Sequence, residues 1–179
     1  MSFKHTEASM QKLIYSNQHR FCTSYEVMVP NCYNTHDNEC DLYAIRKSGL
    51  CDEIEIKISR SDFLCDSKKH VAYRRSSGSE YREYNMLTES VKKKTIPPWS
   101  KTKHDCLCDG ILSNYYWYVV KEGIAEAHEA PPWAGFVTVD DNGRMKVIRS
   151  PKRLHRGKLT TEEMYKTARK MYFRYWNLV

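Results

Sequence analysis

Residues 51–58 alternate between charged and branched apolar side chains, a pattern that limits this segment to a β-strand with two unlike faces. Isoleucines occupy positions 54, 56 and 58, and the positions between them hold Glu53, Glu55 and Lys57. Successive side chains of a strand point to opposite faces, so the isoleucines face a core and the three charged residues share the other face. Residues 40–47 are also strand-like, and Ser48 and Gly49 predict a hairpin turn between the two strands.

The rest of the chain predicts further helices and strands. Helices are expected over residues 6–17, from an N-cap at Ser59 or Ser61 through Ala72, and after Thr160, where Glu163 completes a capping-box spacing. The last helix carries an apolar stripe formed by Met164, Ala168, Met171, Tyr172 and Tyr175. Strands are expected over residues 25–29, 114–120, 135–139 and 145–149.

The composition is that of one globular domain spanning residues 1–179. The 179 residues are 41% hydrophobic, and a chain of this length buries about two-thirds of its unfolded surface without staples. No apolar run is long enough to cross a bilayer, and residues 1–12 lack the hydrophobic stretch of a signal peptide. We therefore expect a cytoplasmic protein without membrane contact, whose seven cysteines are reduced thiols.

The charge balance favours a polyanionic partner. The formal net charge is +7 and the sequence pI is about 9.0. Lysine and arginine side chains that neutralise phosphates release counterions, which supplies most of the non-specific affinity for nucleic acid. The composition thus points towards DNA or RNA binding, although many basic proteins bind neither.

The charged face of residues 51–58 requires compensation if it is buried. An unpaired buried charge costs several kcal/mol, and a divalent cation can offset that cost for carboxylates. Asp41 and Glu55 are oxygen donors of the kind that Mg²⁺ prefers, the backbone carbonyl of Ile56 is a further candidate ligand, and Lys57 is placed to orient an attacking water. The competing interpretation is that these charges form the solvated face of an edge strand.

Several segments together resemble the MmcB-like branch of the PD-(D/E)xK nuclease superfamily, particularly its phage and mobile-element members. The resemblance spans roughly residues 23–157 and rests on residues 40–43 and 53–64, on Asp66, Lys68 and Lys69, and on residues 114–120, 123–124, 130–135, 150–151 and 154–155. It implies that Asp41 and Glu55 bind the metal and that Lys57 is the catalytic lysine. The upstream acid is Glu39, a candidate accessory ligand, or Glu26.

The chain departs from the superfamily pattern in two respects. No proline precedes Asp41, and a basic insertion at residues 74–103, which we expect to be partly mobile, is longer than in compact members. Both departures leave the substrate open, and members of this branch are associated with DNA repair more by resemblance than by a defined reaction.

Basic and aromatic residues near the predicted site are candidates for nucleic-acid contacts. The candidates for phosphate contacts are Arg60, Lys68, Lys69, Lys92, Lys93, Lys94 and His104, together with Lys101 and Lys103 of the insertion. Tyr81, Tyr84 and Trp99 are interleaved with the basic residues and are candidates for stacking on unpaired bases. A solvated charge run and aromatic packing onto the domain are the competing interpretations.

A structural Zn²⁺ site is a further hypothesis. Its candidate ligands are Cys65, His70, His104, Cys106 and Cys108. The CxC spacing at positions 106 and 108 is tighter than the usual CxxC of zinc sites, which favours cysteines that serve as small buried side chains.

The sequence therefore predicts an α/β domain with a restriction-endonuclease-like core, in which helices flank a mixed central β-sheet. The predicted function is that of a Mg²⁺- or Mn²⁺-dependent nuclease that hydrolyses DNA, with RNA as another possible substrate, in DNA repair or phage DNA metabolism. Two alternatives remain open. One is a non-catalytic DNA-binding or repair-accessory protein on the same fold, and the other is a zinc-containing interaction module.

Overall fold

The computed structural model describes residues 2–23, 25–33, 39–72 and 100–178. The helices are α1 (Glu7–Ser16), a short 3₁₀ turn (Gln18–Arg20), α2 (Arg60–Asp66), α3 (Lys103–Cys108) and α4 (Thr161–Leu178). The strands are β1 (Tyr25–Tyr33), β2 (Glu39–Arg46), β3 (Cys51–Lys57), β4 (His70–Ala72), β5 (Ser100–Thr102), β6 (Tyr115–Lys121), β7 (Gly135–Val139) and β8 (Met145–Arg149).

Six strands form one mixed sheet in the order β1-β2-β3-β6-β7-β8, and β4 and β5 form a separate antiparallel pair. The pairs β3–β6 and β6–β7 are parallel, and the pairs towards both edges are antiparallel. The predicted α/β class, with a mixed central sheet flanked by helices, is confirmed. Strand β3 lies between β2 and β6, in the interior of the sheet.

Each face of the sheet is covered by different helices. On one face, Met10 and Ile14 of α1 pack with Leu42, Ile54 and Trp117. On the other face, which we call the α2 face, Phe63 of α2 and Leu107 of α3 pack with Tyr116, Tyr118 and Phe136. Leu159 and Met164 pack with Tyr43, Ile45 and Cys51, which brings the start of α4 onto the strands β2 and β3.

Local signals fix several of these elements. The hydroxyl of Ser59 accepts a hydrogen bond from the Asp62 backbone N–H and begins α2, as predicted. The capping box before α4 is also confirmed, because Thr160 and Glu163 exchange hydrogen bonds between side chain and backbone. Gly135 is required by packing, since a Cβ atom there would lie within 3 Å of the Trp117 ring.

Three predictions about element boundaries were wrong. Helix α2 does not reach Ala72 but ends at Asp66, because residues 70–72 pair with residues 100–102 instead. Strand β1 continues past Pro30 to Tyr33, which an edge strand tolerates because it has one side free of sheet hydrogen bonds. Ile58 is 40% exposed, because β3 ends one residue before it.

The predicted apolar stripe of the last helix is buried only in part. Met164 packs against the sheet, whereas Met171 and Tyr172 are exposed. Of the predicted insertion at 74–103, residues 74–99 lie outside the described residues, and the remainder forms β5 and the first residue of α3. Among the described residues, no helix has the combination of length and apolar composition needed to traverse a lipid bilayer.

Candidate active site

Asp41 lies where β2 leaves its regular pairing with β3. The last paired residues are Leu42 and Ile54, and Asp41 follows one position beyond them. Its Oδ2 accepts a hydrogen bond from the backbone N–H of Ile56 at 2.6 Å. Because Ile56 stands between Glu55 and Lys57, this bond brings the Asp41 carboxylate to the end of β3 that carries both residues.

The backbone around Asp41 is held from the other side by α1 and β1. Gln11 donates from Nε2 to the carbonyl oxygen of Asp41 at 2.9 Å and also to the side chain of Asn31. Asn31 interrupts β1 with a left-handed φ of 45°, a conformation that asparagine tolerates better than most residues. The irregular position of Asp41 is thus fixed by specific contacts on both neighbouring elements.

Glu53, Glu55 and Lys57 are buried on the α2 face, each at most 1% exposed. Strand β3 is interior to the sheet, so the interpretation of these charges as the solvated face of an edge strand is wrong. Lys57 Nζ lies 2.9 Å from Glu55 Oε2, and the two side chains share a face because they are two residues apart on one strand. The sequence predicted this juxtaposition of Glu55 and Lys57.

Two lysines from beyond the strand complete the compensation of the buried carboxylates. Lys103 Nζ lies 2.5 Å from both Glu53 Oε1 and Glu55 Oε1, and Lys69 Nζ lies 3.3 Å from Glu55 Oε2. Sequence analysis placed Lys103 on a surface that follows a nucleic-acid backbone, which is wrong because this side chain is fully buried. No local signal marks it, since its partners are about fifty residues earlier in the chain.

Asp66 is a second buried acid whose role the sequence did not predict. Its Oδ1 lies 2.9 Å from Lys57 Nζ and 3.1 Å from Lys69 Nζ. Its Oδ2 accepts hydrogen bonds from the hydroxyls of Tyr116 at 2.8 Å and Tyr118 at 2.6 Å. Asp66 therefore fixes the position of Lys57 from the side opposite β3.

His104 completes this network rather than standing on the surface. Its Nε2 lies 2.8 Å from the Tyr118 hydroxyl and 3.6 Å from Asp66 Oδ2. We refer to Glu53, Glu55, Asp66, Lys57, Lys69 and Lys103 together as the buried charge cluster. Within this cluster only Lys69 has a substantially exposed side chain, at 44%.

The two predicted metal-binding acids differ in their proton affinity. Burial and the charge of Glu55 raise the pKa of Asp41 to about 7, although the Ile56 N–H and Lys57 act in the opposite direction. Burial also opposes ionisation of Glu55, but the charges of Lys103 and Lys57 outweigh it and lower its pKa to about 2. Glu55 is therefore a carboxylate at neutral pH, and Asp41 titrates close to neutrality.

The surrounding groups hold Lys57 in its charged form. Burial favours the neutral amine, yet the charges of Glu55 and Asp66 raise the pKa of Lys57 above its ordinary value. The pKa of Asp66 is likewise held below its usual range, against burial, by its hydrogen bond to His104 and the charge of Lys57. The site thus presents a fixed cation beside two carboxyl groups.

The donor chemistry of this site fits a hard divalent cation. Asp41 and Glu55 supply carboxylate oxygens from adjacent strands, and the effect of Glu55 on the Asp41 pKa shows that the two acids interact. Mg²⁺ is commonly held by one or two carboxylates, with waters and substrate phosphates as its other ligands. Among the described residues, no group of three or more His, Cys, Asp or Glu side chains is arranged to hold a metal ion. The Ile56 carbonyl stays a prediction as a ligand.

The structure does not bring both candidate upstream acids to Asp41. Glu39 is two residues away on β2, where it is exposed and pairs with Tyr33. Glu26 is exposed near the first residue of β1, which pairs with the opposite end of β2 at Arg46. Glu39 therefore lies at the same end of the sheet as Asp41, and Glu26 lies at the other end.

The predicted phosphate-binding residues are dispersed. Arg60 forms a two-point ion pair with Glu129, in which its Nη1 lies 2.8 Å from Oε2. Lys68 is exposed and makes no ion pair within the described part of the chain, whereas its neighbour Lys69 contacts the buried cluster. The predictions for Lys92, Lys93 and Lys94, and those for Tyr81, Tyr84 and Trp99, lie outside the described residues.

The candidate zinc ligands occupy different environments. Cys106 is buried in the core, Cys65 and Cys108 are exposed, and His104 is engaged with Tyr118. His70 lies in β4, whose backbone pairs with β5. The zinc site stays a hypothesis.

Comparisons with known proteins bear on the fold. No protein-family model matches the chain, and no curated protein sequence is significantly similar to it. The solved structure of a protein of unknown function from Silicibacter pomeroyi is similar, with a TM-score of 0.54 and 14% sequence identity. The match covers 97% of this chain and 91% of the other. At this identity the likeness concerns the fold alone, which recurs over nearly the whole length of both proteins.

Proposed function

We propose that the protein is a Mg²⁺- or Mn²⁺-dependent nuclease that hydrolyses phosphodiester bonds of DNA. The observation that carries this proposal is the hydrogen bond from the Ile56 N–H to Asp41, because it joins an acid of β2 to the Glu-x-Lys stretch of β3. The interacting acids and the adjacent ammonium group form a combination suited to metal-assisted hydrolysis. The resemblance of the sequence to the PD-(D/E)xK superfamily points in the same direction.

Each residue has a distinct part in this mechanism. Asp41 and Glu55 would hold the cation, which when bound lowers the pKa of a coordinated water and neutralises charge on the phosphate. Lys57 stays protonated between Glu55 and Asp66, and its ammonium group donates hydrogen bonds to the attacking water or to the phosphate oxygens. Asp66 acts through Lys57 as a positioning residue.

A non-catalytic DNA-binding or repair-accessory role is the second candidate. The observation that favours it is that lysines already neutralise Glu55, with Lys103 and Lys57 within 3 Å of its oxygens. In that case the buried charge cluster would serve stability alone. Basic residues on the surface would then account for DNA affinity without cleavage.

A cleavage screen with purified variants separates the two roles. Labelled single-stranded, double-stranded and branched DNA, and a matched RNA, are incubated with Mg²⁺ or Mn²⁺. The wild type is compared with Asp41→Asn, Lys57→Met and a control, Asp141→Asn, which removes a carboxylate that is mostly exposed. Metal-dependent cutting by the wild type and the control, and its loss in the two site variants with folding intact, is the expected result. Absence of cutting with every substrate, together with unchanged DNA affinity of Lys57→Met, would favour the accessory role.

A further inference from the structure

The last part of the chain carries most of the excess positive charge. Residues 151–170 contain seven lysine and arginine side chains and two glutamates, a net charge of +5 out of +7 for the whole protein. Four of the seven, Lys152, Arg153, Arg156 and Lys158, lie just before α4 and are exposed. The other three are on α4 itself, so the charge is concentrated in one segment.

Helix α4 also exposes aromatic rings. Tyr165, Tyr172, Phe173 and Trp176 are exposed by 62%, 59%, 52% and 58%. The Tyr172 ring contacts Phe173 edge-on at 5.5 Å between centroids and Trp176 at 6.2 Å. The guanidinium carbon of Arg169 lies 5.5 Å from the Phe173 ring centroid and 5.9 Å from that of Tyr165. We call Arg169, Tyr172, Phe173 and Trp176 the α4 platform.

The α4 platform lies at the end of the sheet that carries Asp41. Lys170 donates a hydrogen bond to the carbonyl oxygen of Tyr33, and Tyr33 pairs with Glu39, two residues before Asp41. Trp176 follows Lys170 by six residues, or about 9 Å of helix. Met164, one and a half turns before Lys170, packs on the α2 face, where the buried charge cluster lies. Helix α4 therefore runs towards the candidate active site.

We propose that the α4 platform binds single-stranded nucleic acid and directs it to the site at Asp41 and Glu55, an inference that rests on the proposed function. Exposed rings stack on unpaired bases of any sequence, and Arg169 adds both stacking and phosphate contacts. Bases within a duplex are already stacked on each other, so these rings select single strands. A second copy of the chain is a poorer occupant, because it would bring one basic surface against another.

Binding is measured without divalent metal, in EDTA, so that cleavage does not interfere. The probes are a fluorescently labelled oligothymidylate and a duplex of the same length, observed by anisotropy. The test variant is the double substitution Tyr172→Ala/Trp176→Ala. Its matched control is Tyr15→Ala, which removes an equally exposed ring from α1. Circular dichroism checks that all variants are folded.

The double substitution is expected to weaken oligothymidylate binding about tenfold or more and duplex binding much less, and the control is expected to leave both unchanged. The substitution Arg169→Gln should reduce the slope of log K against log salt concentration by about 0.7, the value for one phosphate contact on a single strand. Equal affinity of the wild type and the double variant, or no binding by the wild type, overturns the proposal. A dimer in light scattering that the double substitution converts to monomers would assign the platform to self-association and overturn it as well.

The same variants separate this inference from the proposed nuclease activity. Loss of oligothymidylate binding in the double variant, with no metal-dependent cutting by the wild type, would retain the platform and refute the nuclease. Unchanged binding in the double variant, with cutting that depends on Asp41, would retain the nuclease and refute the platform.

Discussion

Replacement of Lys103 by methionine should destabilise the protein strongly. Lys103 is fully buried and its ammonium nitrogen lies 2.5 Å from one oxygen each of Glu53 and Glu55. Methionine nearly preserves the volume but leaves two buried carboxylates without this cation. Removal of one partner from a buried ion pair costs about 3–5 kcal/mol, which for a domain of this size lowers Tm by about 6–20 °C.

Thermal and urea unfolding at pH 7 measure the effect, with Lys101→Met as the control. Lys101 belongs to the same stretch, but its side chain is 40% exposed and pairs with Asp109 at the surface, where such pairs contribute at most about 1 kcal/mol. A loss of less than about 1 kcal/mol for Lys103→Met, similar to the control, would refute the reasoning that the buried charge cluster depends on this lysine.

The pH dependence of the same variant gives an independent check. In the wild type the pKa of Glu55 is lowered to about 2, so its ion pairs stabilise the fold fully above the unfolded-state pKa of about 4.3 and are lost as the pH falls towards 2. Without Lys103 this pKa rises, and the folded variant then takes up protons at a higher pH than the folded wild type. The stability difference between the two proteins should therefore shrink as the pH falls from 7 to 3.

Three further predictions concern single side chains of the site. The pKa of Asp41, about 7 in the folded protein, exceeds its unfolded value, so without metal the wild type should lose stability as the pH rises from about 4 to 7; Asp41→Asn should abolish that loss in urea unfolding. Lys69→Gln should raise Mn²⁺ affinity about two- to fivefold in calorimetric titration, because a cation leaves Glu55, whereas Lys68→Gln should not. Asp66→Asn should lower kcat about tenfold or more with little change in KM, because Lys57 loses its contact with Oδ1; a change in KM alone would argue against a positioning role.

Local patterns were sufficient to predict the elements that hold the site. The alternation of residues 51–58 and the turn at Gly49 predicted the hairpin of β2 and β3, and the hydroxyl of Ser59 predicted the start of α2. Each of these signals lies within a few residues of the feature that it determines. The same alternation placed Glu55 and Lys57 on one face of the strand.

The rest of the site depends on contacts between distant parts of the chain. The end of α2 at Asp66 follows from the pairing of β4 with β5, whose partner residues are about thirty positions apart. The burial of Asp66 depends on the hydroxyls of Tyr116 and Tyr118, and the burial of Lys103 depends on Glu53 and Glu55. A helix-end acid and a lysine in a basic stretch carry no local pattern that distinguishes these roles from exposure to solvent.

Diffraction from crystals soaked in Mn²⁺, recorded at the manganese absorption edge, tests the account most directly. The account predicts one anomalous peak bonded to the carboxylates of Asp41 and Glu55 at about 2.1 Å, with Lys69 withdrawn from Glu55, and no peak at this position in Asp41→Asn crystals. A site that stays without manganese while Glu55 keeps its contact with Lys69, or a peak bound elsewhere, would contradict the claim that these two acids form the metal site of a nuclease.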